Sequence, residues 1–443
     1  MIRVALHTLG CRTNQADTAS IRSELERLGA DIEFVPWTEV ADVYAINTCT
    51  VTVRADRDGR KRIRGAARRA PGAAVVVYGC YAEAAADLLA ELPGVSAVLG
   101  NRHRAEVARA ILDAAARVPA PRVRTGGMEQ ATTVETHRVD RYPDRVRAML
   151  KIQEGCDRRC AYCVVPAVRG PSRSLPAPSV VRDAHRLAAA GHPEIVLTGT
   201  HTAGWGHDLE PQHGLAWLLE LLLDEIPGVR FRISSVDPEE ITGPLVSLLA
   251  GHDRICRHLH LAIQHGDAGV LRAMRRASSP ASIRDAVERL AGEVPGVAIG
   301  ADVIAGYPAE DAAAFERSRE LLASLPLAYL HVFGFSARPG TPAAAMSPLP
   351  RGEIAARVSA LRDWSEGTLR PRFLHRLVGH PVEVAVERSA GAGRLRGTSS
   401  EFATVELPGD GGRIGQLAVA TVARVEGAVC HAEPPAPGAR MGP

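Results

Sequence analysis

Cysteine is the residue type in this chain that most plainly implies chemistry. There are eight: Cys11, Cys49, Cys80, Cys156, Cys160, Cys163, Cys256 and Cys430. Three stand in one short run, Cys156-Asp157-Arg158-Arg159-Cys160-Ala161-Tyr162-Cys163. The C-x3-C-x2-C spacing delivers three thiolates from a single loop. A structural zinc site closes four ligands, and a cubane ferredoxin site uses four cysteines. Three thiolates on a four-iron cluster leave one iron open to a small molecule. The alternatives are a zinc loop completed by a distant ligand and a chance grouping on a loop. A second set is dispersed. Cys11 ends Leu9-Gly10-Cys11, Cys49 ends Asn47-Thr48-Cys49, and Cys80 ends Tyr78-Gly79-Cys80. Each follows a predicted strand. In a parallel sheet the C-terminal strand ends share one edge, so these thiols should converge there. The alternative is three buried structural thiols, since free cysteine is often buried. Cys256, beside an apolar strand, and Cys430, near the terminus, read as packing residues.

The elements that must position these groups follow from periodicity. In residues 1–116, Arg3–Thr8, Asp42–Asn47, Ala73–Tyr78 and Ser96–Leu99 read as strands. Asn14–Leu28, Arg54–Arg69, Ala82–Leu92 and Arg104–Ala116 read as helices. Strand–helix alternation implies a doubly wound parallel sheet. Val118–Asp144 carries Pro119, Pro121, Gly126 and Gly127 with no helical period, and reads as a linker. Six more strands are predicted: Arg147–Gln153, Glu194–Thr198, Val229–Ser234, Arg257–Ile263, Val297–Ile304 and Ala328–Phe335. Helical patterns separate them, which favours a partial (βα)6 barrel. The Cys156 loop follows the first of these strands, at the end where barrel active sites lie. Val382–Glu387, Ala403–Leu407 and Leu417–Val425, with glycine-rich turns between them, predict a small antiparallel β-barrel. The expected division is an α/β unit over 1–117, a linker over 118–144 and the partial barrel over 145–372. A small barrel over 373–432 and a disordered tail over 433–443 complete it.

Composition narrows the classes. With 443 residues the chain is too long for one ordinary core. Lys61 and Lys151 are the only lysines, and neither stands in a phosphate-binding loop, so a P-loop nucleotidase is excluded. No His-Glu-x-x-His zinc signature occurs. The N-terminus lacks the apolar run of a signal peptide, and no apolar stretch is long enough to span a bilayer. The expected location is the cytoplasm, with no membrane partner. Arg54–Arg69 is the densest basic segment, suited to gripping RNA phosphates or simply solvated.

Against this background the chain resembles the radical S-adenosylmethionine (SAM) methylthiotransferases along almost its whole length. The resemblance rests on Thr8-Leu9-Gly10-Cys11-Arg12-Thr13-Asn14, Asn47-Thr48-Cys49-Thr50-Val51, Tyr78-Gly79-Cys80 and Lys151-Ile152-Gln153-Glu154-Gly155-Cys156. It continues through Arg169-Gly170-Pro171-Ser172-Arg173-Ser174, Ser234-Ser235-Val236-Asp237-Pro238, His260-Leu261-Ala262-Ile263-Gln264, Asp302-Val303-Ile304-Ala305-Gly306 and Phe335-Ser336-Ala337-Arg338-Pro339-Gly340-Thr341. C-x3-C-x2-C alone would indicate only the radical SAM superfamily; the three N-terminal cysteines make the resemblance specific. Asp237 stands where the family often has Glu, and His265 where it often has Ser.

The resemblance implies two [4Fe-4S] clusters, one on Cys156, Cys160 and Cys163 and an auxiliary one on Cys11, Cys49 and Cys80. SAM on the first cluster would yield a 5′-deoxyadenosyl radical, and the second would carry the sulfur. Polar residues at the other strand ends are the expected SAM and substrate contacts: Gly199, Thr200, Ser235, Gln264, Asp302 and Arg338. The sequence is most like the branch that installs a methylthio group at carbon two of N6-threonylcarbamoyladenosine in tRNA. Related branches act on a ribosomal-protein aspartate or on isopentenyladenosine in tRNA, and a non-catalytic iron–sulfur RNA-binding protein is the remote alternative. tRNA, bound in part by the last domain, and a donor such as flavodoxin or ferredoxin are the implied partners.

Overall fold

A computed structural model describes residues 1–119, 122–134 and 138–435. The N-terminal sheet contains β1 (Ile2–Thr8), β2 (Ile32–Phe34), β3 (Val43–Thr48), β4 (Ala74–Gly79), β5 (Val95–Leu99) and β6 (Val123–Arg124). Its order is β2-β1-β3-β4-β5-β6, and every pairing is parallel. β3 is buried along its whole length, as its continuous apolar run requires. Helix Arg12–Arg27 puts Ile21 and Leu25 on one face of the sheet with Val107 and Ile111. Helix Val53–Arg69 puts Ile63 and Ala66 on the other. It starts where the Thr52 hydroxyl accepts from Ala55 N at 3.1 Å. The chain therefore leaves β1 and β3 toward opposite faces, which opens a crevice at their C-terminal ends.

The segment expected to be a linker is partly built into the fold. Val123–Arg124 adds β6 to the sheet edge. Met128, Val134 and Tyr142 are buried, and the Tyr142 hydroxyl donates to Met149 O at 2.7 Å. Isolated apolar anchors among Gly and Pro carry no period, so sequence alone could not show this.

The central strands are β7 (Arg147–Lys151), β10 (Glu194–Thr198), β11 (Arg230–Ile233), β12 (Ser235–Val236), β13 (His258–Gln264), β14 (Ala298–Ala305) and β15 (Tyr329–Gly334). They form two parallel ribbons, β7-β10-β11 and β12-β13-β14-β15. The strand expected over Val229–Ser234 divides at Ser234, passing from one ribbon to the other, so six strand positions wrap a partial barrel. Two short strands, β8 (Gln153–Glu154) and β9 (Arg173–Ser174), pair antiparallel. They close the base of the loop that carries Cys156, Cys160 and Cys163.

The last unit is a closed barrel of β16 (Pro381–Gly391), β17 (Arg394–Ser399), β18 (Thr404–Pro408), β19 (Leu417–Glu426) and β20 (Val429–Glu433). Its neighbours are antiparallel except β18 and β20, which run parallel. β17 and β20 were not among the predicted strands. Glu433 belongs to β20, and the part of the expected tail from residue 436 onward lies outside the described residues.

Candidate metal centre

Every cysteine is a free thiol. Cys11, Cys49 and Cys80 stand directly after or close after β1, β3 and β4, as the parallel sheet dictates. Gly10 takes φ +94°, and a Cβ there would lie 2.6 Å from Cys49 Cβ and 2.9 Å from Cys49 Sγ. Only glycine lets the first thiol loop close onto the second. Asn14 Nδ2 donates to Leu9 O at 2.7 Å and Thr48 O at 3.2 Å, tying these two loops together. Cys49 and Cys80 are buried, while Cys11 is exposed.

The second set sits on the loop clamped by β8 and β9. Gln153 is fully buried and donates to Gly155 O at 2.8 Å and Ser172 Oγ at 2.9 Å. Gly155 takes φ +77°, and its missing Cβ is where Pro171 O lies. Cys156 N then donates to Gly170 O at 3.1 Å, and Cys163 N to Cys160 O at 3.1 Å. The two sets are close neighbours, because Cys80 packs with Val164 and Val168, just beyond Cys163.

A buried ionic network joins them. Arg169 Nε donates to Cys80 Sγ at 3.2 Å, its Nη1 to Glu154 at 2.5 Å, and its Nη2 to Asn14 Oδ1 at 2.6 Å and Asp17 at 2.9 Å. Arg104 forks onto Glu154 at 2.8 and 2.9 Å and reaches Asp17 at 2.9 Å. Lys151 Nζ lies 2.7 Å from Asp17 and 3.4 Å from Glu154. Burial opposes ionisation of Glu154, yet Arg104, Lys151 and Arg169 hold its pKa at about 2. Burial likewise opposes ionisation of Asp17, and the same cations hold it well below the usual carboxylate range. Arg173 Nη2 adds a fourth cation, 3.9 Å from Glu154, so the network holds more positive than negative charge, part of it delivered at Cys80. Asn14, Lys151, Glu154 and Arg169 stand in motifs quoted above, whereas Asp17 and Arg104 lie outside them.

Arg276 plays the corresponding part at the other loop. Its Nη1 is 3.7 Å from Cys160 Sγ, its Nη2 donates to Ala262 O at 3.0 Å, and it pairs with Asp237. Arg158 joins Asp237 at 2.8 Å, Glu239 at 2.5 Å and Glu240 at 2.7 Å. Asp237, one carbon shorter than the residue often found there, thus still anchors two arginines.

With protons on sulfur the sites are poor ligands. Burial, then the neighbouring Cys80, pushes Cys49 up to about 12. Burial pushes Cys163 up to about 12 and Cys156 to about 11. A bound cationic metal reverses this preference. The donor chemistry fits iron–sulfur clusters. Each set offers three sulfurs, and each has a guanidinium N–H placed on sulfur, as an anionic thiolate cluster needs. Cys256 and Cys430 are buried elsewhere, Cys430 in the core of the last barrel.

The expected SAM contacts divide. Gly199 and Thr200 follow β10, and Gly199 packs so close to Gln153 that its Cβ would lie 2.9 Å from Oε1. The Thr200 hydroxyl is buried without a hydrogen-bond partner, which suits a bound ligand. Ser235 is exposed beside the break between the ribbons. Gln264 ends β13 with φ +67°, an uncommon conformation held at a strand end. Asp302 is not at the rim. It lies midway along β14, with Oδ1 2.9 Å from His260 Nε2 and 3.6 Å from His331 Nδ1. Arg338 is buried against Thr50 Oγ1 at 2.8 Å and Asp56 at 2.6 Å, so it ties the barrel to the N-terminal unit, while its Nε is left without a hydrogen-bond partner.

Arg54, Arg57, Lys61, Arg62, Arg64, Arg68 and Arg69 are exposed on the helix that follows Cys49, whereas Arg60 folds over the Tyr81 ring at 5.8 Å. In the last barrel Arg396 pairs with Glu406 and Arg394 with Glu433, while Arg388 is exposed. A cleft of about 850 Å³ runs between the N-terminal sheet, β7 and the last barrel, lined by Thr8, Gln15, Arg22, Arg145, Arg147 and Arg388 among others.

Comparison with known proteins agrees with this geometry. Residues 3–100 match a family described as uncharacterized protein family UPF0004, and residues 150–322 match the radical SAM superfamily. The chain is 34% identical to the threonylcarbamoyladenosine tRNA methylthiotransferase MtaB of Bacillus subtilis, over 94% of this chain and 93% of that one. It is 36% identical to the protein of the same name from Aquifex aeolicus, over 82% and 87%. The solved radical SAM methyltransferase TsrM from Kitasatospora setae shares the fold, with a TM-score of 0.58 at 15% identity over 77% of this chain and 75% of that one. Two adjoining thiol triads on a doubly wound sheet and a partial barrel, with relatives that match end to end, place this chain in the radical SAM methylthiotransferase family.

Proposed function

We propose that this protein adds a methylthio group to carbon two of N6-threonylcarbamoyladenosine beside the anticodon of tRNA. The observation that carries this reading is the adjacency of the two thiol triads, with Cys80 packed on Val164 and Arg169 bridging Cys80 to Glu154 beside the Cys156 loop. The relatives that match over most of the chain supply the substrate.

Cys156, Cys160 and Cys163 would hold the SAM-binding cluster, and Cys11, Cys49 and Cys80 the auxiliary one. When bound, these groups supply reductive SAM cleavage and the sulfur to be inserted. The chain's own residues do the positioning. Gln153, Gly155 and the β8–β9 clamp fix the Cys156 loop. Arg169 and Arg276 direct N–H groups at Cys80 and Cys160 and so stabilise sulfur as thiolate. Thr200, with its free buried hydroxyl, and Gln264 would face SAM from the strand ends. Packing of Val164 and Val168 on Cys80 keeps water from the space between the sites. The exposed arginine face of helix Val53–Arg69 would hold tRNA phosphates near the auxiliary site. An electron donor of the flavodoxin or ferredoxin kind completes the system, and the cytoplasm is its expected location. No helix among the described residues is long and apolar enough to cross a membrane.

Iron and sulfide analysis of anaerobically reconstituted protein tests the first part. About eight irons should fall to about four when Cys11, Cys49 and Cys80 are all changed to Ala. About four in both proteins would leave the N-terminal thiols structural and remove the sulfur-insertion claim. Mass analysis of tRNA nucleosides from a deletion strain tests the substrate. Unchanged methylthio-threonylcarbamoyladenosine would move the target to the ribosomal protein or to isopentenyladenosine.

A further inference from the structure

Arg12 directly follows Cys11, and among the described residues its guanidinium pairs with no carboxylate. It reaches away from the N-terminal sheet toward the end of β11, where its Nη1 donates to Ser234 Oγ at 3.3 Å. Its Cζ lies 6.0 Å from the Phe402 ring of the last barrel. Residues from all three parts of the fold therefore meet around one side chain. Among the described residues no carboxylate lies within 4 Å of it, in contrast to the buried Arg104, Arg169, Arg230, Arg232 and Arg276. Glu194, on β10 beside β11, is already committed. It accepts from Arg230 at 2.7 Å and Arg232 at 2.7 Å, with Arg147 at 3.7 Å. Arg232 also spends its remaining N–H groups on Ser399 O and Ser400 O. A half-buried guanidinium with one weak hydrogen bond is costly unless an anion arrives.

One partly exposed ring, Phe402, lies beside the same spot, backed by the buried His258 and Tyr329. Phe402 stacks on His258 at 4.5 Å and lies 6.0 Å from Tyr329. This setting suits a flat heterocycle carrying a negatively charged arm. Threonylcarbamoyladenosine is such a group, because the threonyl arm ends in a carboxylate, while the base to be modified must reach the sulfur site that includes Cys11. We infer that Arg12 reads the carboxylate of the threonylcarbamoyl arm and so sets which modified adenosine is accepted. The inference rests on the function proposed above.

The experiment is equilibrium binding of anticodon stem–loops to anaerobically reconstituted full-length protein. Three RNAs are compared: one with the free threonyl acid, one with its methyl ester, and one with unmodified adenosine. The native chain should favour the acid over the ester roughly 10- to 100-fold, the range of a charge-assisted hydrogen bond. Arg12→Met should bring that ratio near one, and Arg12→Lys should restore most of it. Because the ratio is taken within each protein, partial loss of active material cancels. An undiminished ratio in Arg12→Met overturns the inference. So does equal weakening of all three RNAs, which would make Arg12 a contact to backbone phosphate. If the native protein neither prefers nor methylthiolates the acid-bearing RNA, the function proposed above fails and takes this inference with it. If it methylthiolates that RNA without preferring it to the ester, the inference alone fails.

Discussion

Arg169 offers the most direct test of how the two thiol sites are held together. Its guanidinium makes four contacts with buried groups: Cys80 Sγ at 3.2 Å, Glu154 at 2.5 Å, Asn14 Oδ1 at 2.6 Å and Asp17 at 2.9 Å. Arg169→Met keeps an unbranched stem out to the position of Nε and removes all four. Loss of one partner from a buried ionic pair costs about 3–5 kcal/mol. Here Arg104, Lys151 and Arg173 still face the two carboxylates, so neither is left unpaired and the lower end, about 3 kcal/mol, is expected. Arg169→Lys restores the charge but not the planar fork, so it should recover only part of the loss. The assay is urea unfolding of the full-length protein, following the first transition. A double-mutant cycle with Asp17→Asn should show coupling above about 1 kcal/mol, as residues in one network do. A loss below about 1 kcal/mol for Arg169→Met, with no coupling to Asp17, would refute the view that this network fastens the sheet to the barrel.

Other outcomes follow from the same geometry. Single changes of Cys156, Cys160 or Cys163 to Ala should abolish formation of 5′-deoxyadenosine from SAM, measured by chromatography. Persistent cleavage would contradict the assignment of that loop. Glu154 is held at about 2 against an ordinary value of 4.5, so its stabilisation is complete above about pH 4.5 and fades as pH falls toward 2. The urea midpoint of native protein should therefore drop between neutral pH and about pH 3 more steeply than that of Glu154→Gln. Replacing Arg57, Arg62 and Arg64 with Glu should weaken tRNA binding and make it less salt-dependent, lowering the slope of log affinity against log salt by roughly one per lost phosphate contact. Unchanged slopes would mean that this helix face is merely solvated.

The sequence by itself determined the local matters. Alternating apolar runs and helical periods located β1, β3, β4, β5 and the six barrel strand positions, because hydrophobic period reports secondary structure directly. The cysteines could be placed at strand ends from those same runs, and the parallel topology then brought them to one edge. Short elements escaped. β2 and β6 have only three and two residues, the missed barrel strands β17 and β20 carry charged or polar residues at alternate positions, and Met128 and Tyr142 anchor a stretch that looks like a linker. The ionic partners escaped for a deeper reason. Asp17, Arg104 and Lys151 look like ordinary polar residues of helices and a strand, and nothing local marks them as buried. They meet Glu154 and Arg169 only because the sheet docks on the barrel, and removal from water is what turns scattered charges into a strong network. Asp302 and Arg338 make the same point in reverse. Their motif positions suggested ligand contacts, and the tertiary structure adds that docking sets Arg338 on Asp56 while strand pairing sets Asp302 beside His260 and His331. Arg12 is the complementary case. Its neighbour Cys11 was legible in the sequence, while its lack of an acidic partner could be seen only once the three parts of the chain had closed around it.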